Sequence, residues 1–181
     1  MKSGARTGSS QWWLMARSLF IATALLLVCT IAQAPAANGG DHPASGATHA
    51  DSAAVAKLYF DQGVDEYEPG RLDSALVMFS LALRWDPSSS QAWQARGATL
   101  ARMNRHEEAQ AAFDRALRIR PNFLIAWWHR GCDNAVAGHV EDALDDLRHV
   151  IALDSTARAW PFHDACWDSL RDDPRLLELT R

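Results

Sequence analysis

Apolar residues recur with helical spacing in six stretches between residues 52 and 153, and short polar turns separate the stretches. Each stretch has one apolar stripe and one face of Asp, Glu and Arg, as expected for an amphipathic helix. No alternating strand pattern competes, so the chain is predicted to be all-α. The predicted helices form three pairs, at about Ser52–Tyr67 with Leu72–Trp85, Gln91–Met103 with His106–Ile119, and Leu124–Val136 with Val140–Leu153.

The helix pairs repeat with a period of 34 residues. The first helix of each pair carries an aromatic residue and, four positions later, a glycine, whereas the second carries an alanine and, four positions later, a large apolar residue. These positions are Tyr59, Trp93 and Trp127; Gly63, Gly97 and Gly131; Ala75, Ala109 and Ala143; and Phe79, Phe113 and Leu147. Pro87 and Pro121 end the first two units. The small residues allow close helix approach, so each pair is predicted to form a tight hairpin.

This spacing resembles the tetratricopeptide repeat family, whose pattern is an aromatic residue, a glycine, Ala-x-x-x-Phe and a final proline. The resemblance covers about Ala56 to Ser155, and the predicted repeat domain at residues 52–157 has three units at about 56–89, 90–123 and 124–157. It implies a right-handed superhelical stack of antiparallel helix pairs, which is an α-solenoid.

Residues 158–181 are predicted to cap the stack. Trp160, Phe162, Trp167 and Leu170 stand at helical spacing, and a further short helix is expected from about Pro174. Repeat stacks expose the apolar face of their last unit, which a terminal cap covers.

The N-terminal segment is predicted to be a signal peptide or signal anchor at residues 1–36, followed by a flexible linker at 37–51. Positive residues precede the apolar run Leu19–Ala32, whose 14 residues are fewer than the roughly 20 that span a bilayer. Cleavage is therefore expected, and with it a periplasmic or secreted location. The alternatives are an inner-membrane anchor facing the periplasm, lipidation at Cys29, and translation from Met15.

Composition narrows the choice of partner. The chain has 181 residues, of which 48% are hydrophobic and 22% charged, as in an ordinary globular protein. Its formal net charge of -4 argues against a nucleic-acid partner, because such proteins carry basic patches. Contact with a membrane is expected only through an uncleaved N-terminal segment.

The family resemblance implies that the first helices of successive units line a concave groove in which ligands bind. Small residues leave a trough between aromatic walls, which suits an apolar peptide segment. Family members that hold a terminal carboxylate use Lys, Asn and Arg at places where this chain has Phe60, Val64, Gln91 and Ala95, so a carboxylate clamp is not expected. The alternative is that the aromatic residues pack together and leave no groove. The groove candidates are Phe60, Tyr67, Gln91, Gln94, Ala98, Trp128 and Phe162.

A His-x-x-Cys pair occurs twice, as His129 with Cys132 and as His163 with Cys166, 34 residues apart. A spacing of three places each pair on one helix face. Two histidines and two thiolates form a tetrahedral zinc set, so metal binding or thiol redox chemistry is the alternative function. The two cysteines are also candidates for a disulfide, provided that their Cα atoms approach within about 7 Å.

The sequence contains no Gly-rich phosphate loop and no nucleophile with a local signature. The predicted function is therefore that of an exported protein- or peptide-binding scaffold that uses the concave groove, without catalysis and without a cofactor.

Overall fold

The computed structural model describes residues 49–181, in which six helices form three consecutive hairpins and no strand occurs. The predicted all-α solenoid is confirmed. The structure reproduces the predicted bounds of three helices, and the ends of the other three differ by at most three residues. The helices are α1 His49–Tyr67, α2 Leu72–Trp85, α3 Ser90–Arg102, α4 His106–Ile119, α5 Leu124–Ala137 and α6 Val140–Leu153.

Two predictions concern residues outside this range. The leader at residues 1–36 lies outside the described residues, as does most of the linker at 37–51. α1 begins inside the predicted linker, at His49. Among the helices of residues 49–181, none has the length and apolar content needed to span a bilayer.

The turn inside each hairpin contains one residue in the left-handed backbone region. Gly70, Asn104 and Gly138 have φ values of 80°, 58° and 81°, and they stand 34 residues apart. Glycine adopts this conformation without steric cost, and asparagine tolerates it better than other residues with a side chain. The chain therefore reverses at the same point in every repeat.

The recurrent glycines bring the two helices of the first and second hairpins into close contact. A Cβ atom placed on Gly63 would lie 2.6 Å from the Phe79 ring, and one on Gly97 would lie 2.7 Å from the Phe113 ring. In the third hairpin Leu147 replaces the phenylalanine. There the space over Gly131 is bounded by Asp146 and by Trp167 of the cap.

The recurrent aromatic residues link successive repeats through the preceding proline. The indole Nε1 of Trp93 donates to the Pro87 carbonyl at 2.9 Å, and that of Trp127 donates to the Pro121 carbonyl at 2.7 Å. Each proline thus ends one unit and supplies the acceptor that orients the aromatic side chain of the next.

The cap differs from the prediction of one helix followed by a short one. Two 3₁₀ helices occupy Ser155–Phe162 and Ala165–Leu170, and a short α7 follows at Pro174–Leu179. Pro161 has no amide hydrogen, and the Asp164 side chain accepts from the Cys166 amide at 3.1 Å, which starts a new element there. The cap nevertheless covers the last hairpin, because Trp167, Leu170 and Leu176 are buried with α5 and α6.

Candidate functional site

The first helices of the three hairpins and the cap surround a groove of about 330 Å³. Ala98 and Ala101 of α3 lie in the middle, and their small side chains leave the space open. Tyr67 of α1 lines one side, and Val136 of α5 lines another. Val136 is 60% exposed, so the groove presents an apolar side chain to solvent.

Arg102 lines the same groove beside Tyr67. Its Nη1 atom donates to the Tyr67 carbonyl at 3.2 Å, and its guanidinium carbon lies 4.5 Å from the centroid of the Tyr67 ring. A guanidinium at this distance from an aromatic face is attracted to it. The interaction joins α1 to α3 and places a positive charge at the rim.

His129 of α5 lines the groove and contacts Gln94 of α3, with 2.6 Å between His129 Nδ1 and Gln94 Nε2. Burial lowers the pKa of His129, and the negative charge of Asp164 acts in the opposite direction. The imidazole is therefore neutral at neutral pH. We assign the proton to Nε2, because Nδ1 then accepts a hydrogen bond from the Gln94 amide.

Asp133 lies at the base of the groove and is almost fully buried, at 4% exposure. Its carboxylate contacts His106 Nδ1 at 2.7 Å and accepts from Gln110 Nε2 at 3.0 Å. Both partners belong to α4, so this carboxylate holds α5 against the preceding repeat.

A disulfide between Cys132 and Cys166 joins α5 to the second 3₁₀ helix of the cap. The two Cα atoms are 5.3 Å apart, within the range that a disulfide requires. Both cysteines are half-buried and line the groove. Of the alternatives left open by the sequence, the structure contains the disulfide.

The predicted tetrahedral metal set does not form in this structure. The sulfurs of Cys132 and Cys166 are bonded to each other, and His163 is exposed. Within residues 49–181 the close group is Cys132, Asp164 and Cys166, whose ligand atoms lie within 4.8 Å of one another. The cap turns at Asp164, which brings this carboxylate rather than His163 to the cysteine pair.

Four of the seven predicted groove residues are divided between two depressions. Tyr67 and Ala98 line the groove described above, and Gln94 contacts its His129. Phe60 and Gln91 line a second depression of about 430 Å³ between α1, α2 and α3. The Phe60 ring also packs 5.6 Å from the Phe79 ring, measured between centroids.

Trp128 is not a groove residue, contrary to the prediction. It is buried at 8% exposure, with its ring centroid 5.2 Å from that of Trp160 and 5.8 Å from that of Trp167. The cap folds over this side of α5 and removes Trp128 from solvent. Phe162 is 38% exposed and lines neither depression.

Arg102, Asp133, Val136 and Asp164 line the groove although they were not predicted to do so. Asp133 and Val136 follow His129 at positions four and seven, so the helical spacing already placed them on the same face of α5. Arg102 follows Ala98 at position four in the same way. Asp164 gave no such signal, because its position depends on the path of the cap.

The three stacked helical hairpins define an α-solenoid. The first helix of each hairpin faces the groove, which is open to solvent. The family model of the tetratricopeptide repeat matches residues 90–123. The second hairpin is therefore a tetratricopeptide repeat.

Curated relatives match about half of this chain and a small part of their own length. The human PEX5-related protein is 30% identical over 92 residues, which are 51% of this chain and 15% of the relative. The peroxisomal targeting signal receptor of Saccharomyces cerevisiae is 32% identical over 87 residues, which are 48% of this chain and 14% of the relative. The chain therefore spans about one seventh of the length of these relatives.

The first tetratricopeptide domain of Spaghetti (RPAP3), solved with an HSP90 peptide, has a similar fold. The match has a TM-score of 0.58 at 16% identity and covers 71% of this chain and 92% of that domain. At this identity the similarity concerns the fold alone.

The predicted periplasmic or secreted location is wrong on this comparison, and the inner-membrane alternative fails with it. The relatives are named peroxisomal targeting signal receptors and PEX5-related proteins, not exported proteins. The repeat fold and these relatives support a protein-binding scaffold.

Proposed function

We propose that this protein binds a peptide segment of a partner protein in the groove over Ala98 and Ala101, without a catalytic step. The observation that carries this proposal is the open trough of about 330 Å³ between Tyr67, His129 and Val136. The solved RPAP3 domain holds an HSP90 peptide, and the yeast relative is named a targeting signal receptor, which supports a peptide as the ligand class.

The apolar part of the groove favours an apolar side chain as the anchor of the peptide. Val136 is well exposed, and the methyl groups of Ala98 and Ala101 leave room for a larger group beside it. An anchor that fills such a pocket typically contributes about 2 kcal/mol or more to binding. Two first helices contribute these residues, so an extended segment is able to contact both.

The charges at the groove favour an internal peptide segment over a chain terminus. Arg102 supplies a positive charge on the side of Tyr67, and Asp164 supplies a negative charge on the side of the cap. The Arg102 guanidinium is already engaged with the Tyr67 carbonyl and ring. A segment with an apolar centre and polar groups on both sides matches this arrangement.

The test begins with a random peptide library displayed on phage and selected against the full chain. A selected peptide carrying a fluorescent label is then titrated with three proteins, and its Kd is measured by fluorescence polarisation. Val136→Glu places a charge in the groove. Val77→Glu is the matched control, because Val77 is 53% exposed on α2 and lines none of the depressions described above.

We expect Val136→Glu to weaken binding about tenfold or more, since a buried apolar contact is replaced by a charge. Val77→Glu should bind like the unchanged protein. Ala101→Trp, which fills the trough, should also lose binding while its circular dichroism spectrum stays helical. The proposal is refuted if the library yields no binding peptide. It is also refuted if Val136→Glu and Ala101→Trp bind the peptide with the same Kd as Val77→Glu.

A further inference from the structure

We propose that the Cys132–Cys166 disulfide is a redox site of the groove: a dithiol reductant enters the groove and cleaves it, which releases the cap and weakens peptide binding. This inference rests on the proposed peptide-binding function and adds the control of that site. The ligand class of the redox site is a small molecule or protein that carries two thiols.

The position of the disulfide makes it accessible from the groove. Both cysteines are half-buried and belong to the residues that line the 330 Å³ space. Thiol–disulfide exchange requires a thiolate to reach one of the sulfur atoms, so a disulfide in the wall of an open groove is open to attack. His129, one helical turn before Cys132, lines the same wall.

The cap depends on this bond because its own secondary structure is weak. It consists of two 3₁₀ helices of eight and six residues and a six-residue α7. Trp167 is fully buried in the cap, and its indole Nε1 makes no hydrogen bond to any residue of the described chain. Burial of this N–H group removes its hydrogen bond to water and replaces it with none, which costs free energy and lowers the stability of the closed cap.

The covalent link closes a long loop on the groove side of the cap. Cys132 and Cys166 are separated by 34 residues, and the bond keeps the second 3₁₀ helix beside α5 after any local opening. Such a cross-link favours the closed form because it reduces the number of conformations, and hence the entropy, of the chain with an open cap. Asp164 and Cys166, which complete the groove wall, are both in the segment that the bond retains.

The chemistry of the proposed step balances with the dithiol alone. One thiolate of the reductant attacks a protein sulfur, which forms a mixed disulfide and releases the other protein sulfur as a thiolate. The second thiol of the reductant, as a thiolate, then attacks the reductant sulfur of the mixed disulfide, which closes the disulfide of the oxidised reductant and releases the second protein sulfur as a thiolate. Two electrons pass to the protein, and the two thiol protons of the reductant end on Cys132 and Cys166.

The experiment uses the full chain with Cys29→Ser, so that Cys132 and Cys166 are its only cysteines. The oxidised protein is compared with the same protein after native dithiothreitol treatment and with the Cys132→Ser/Cys166→Ser variant. Three quantities are measured: free thiols per chain after removal of the reductant, amide hydrogen exchange by mass spectrometry, and the Kd of the selected peptide.

We expect two free thiols per chain to appear without denaturant. Amide exchange across the cap, at residues 155–181, should become about tenfold faster or more in both the reduced protein and the double variant. Exchange in α2 to α4 should stay unchanged. The peptide Kd should rise about tenfold or more in parallel.

Cleavage of the disulfide by dithiothreitol only in the presence of denaturant would overturn the proposal. The proposal also fails if the amides of the cap exchange as slowly in the reduced protein as in the oxidised protein. If the cap opens on reduction and the peptide Kd does not change, the disulfide does not control peptide binding in the groove. If the oxidised protein binds no peptide at all, the proposed function fails, and the exchange of the cap still decides whether the disulfide retains it.

Discussion

Trp127 and Trp128 are neighbours in the chain but have different surroundings. Trp127 is half-buried, and its ring stacks on that of His149 with 4.1 Å between centroids. Trp128 points under the cap, where Trp160 and Trp167 surround it. The repeat pattern identified the role of Trp127 correctly, because Trp93 stands at the same place one unit earlier. Trp128 has no such counterpart, and its burial comes from the cap.

The burial of Trp128 leads to a prediction about stability. Trp128→Ala should lower the free energy of unfolding by about 3–5 kcal/mol, because it leaves a large cavity between α5 and the cap. Phe162→Ala, at an exposed position of the cap, should cost about 0.5 kcal/mol or less. Urea unfolding followed by far-ultraviolet circular dichroism measures both. Equal stability of the two variants would show that Trp128 is not part of the core.

The pKa of His129 leads to a prediction about pH. Burial lowers this pKa below its ordinary value of 6.5, with Asp164 opposing the shift. The unfolded chain therefore takes up a proton on His129 at a higher pH than the folded chain does. The free energy of unfolding should fall as the pH drops through 6.5 toward the folded pKa, and this group should contribute no pH dependence above about pH 7.5.

The measurement is an NMR titration of the His129 ring, together with urea unfolding of the unchanged protein and of His129→Gln. The ring should titrate with a midpoint below 6.5. The stability of the unchanged protein should fall more steeply between about pH 7 and pH 5 than that of the variant, which has no group to protonate at this position. A ring midpoint at or above 6.5 would contradict the assignment of a neutral, buried imidazole.

Among the helices, the packing of the third hairpin depends on one buried ion pair. Arg130 of α5 contacts Asp146 of α6 at 2.6 Å and Asp114 of α4 at 2.5 Å. Burial raises the pKa of Asp146, while the Arg130 guanidinium and the Asn134 amide act in the opposite direction. Arg130 thus joins three helices and compensates a carboxylate whose side chain is only 2% exposed.

Removal of Arg130 should therefore leave an uncompensated buried charge. Arg130→Met should lower the free energy of unfolding by about 3–5 kcal/mol, and the double variant Arg130→Met/Asp146→Leu should recover most of that loss. Arg148→Met is the matched control, because Arg148 and Asp145 form an exposed pair whose loss costs at most about 1 kcal/mol. Equal stability of Arg130→Met and Arg148→Met in urea would show that Arg130 does not compensate a buried charge.

The helices themselves could be predicted from the sequence because their determinants are local. The apolar stripe and the positions Gly70, Asn104 and Gly138 recur with the period of the repeat, and α2, α4 and α6 have the predicted bounds. The cap could not be predicted in this way. Its apolar residues suggest a helix by spacing, but Pro161 and the Asp164 side chain divide the segment into two 3₁₀ helices.

On the scale of the whole molecule, the sequence predicted the middle of the groove better than its far wall. Ala98 and Tyr67 belong to repeated helices, so their face followed from the repeat. The far wall includes Asp164 and the disulfide, which depend on a chain reversal after the last repeat. Such contacts between distant residues carry no periodic signal, so the sequence alone does not distinguish the metal set from the disulfide.

The groove, and not another face of the solenoid, is predicted to hold the peptide. The most direct measurement is a titration of the isotope-labelled full chain with the unlabelled selected peptide, followed by amide and methyl NMR. The largest shift changes should occur at Ala98, Ala101, His129 and Val136. Val77 of α2 and Ile119 of α4 are exposed apolar residues on second helices and should not shift. Largest changes at Val77 and Ile119, with an undisturbed Ala98 and Ala101, would contradict the account.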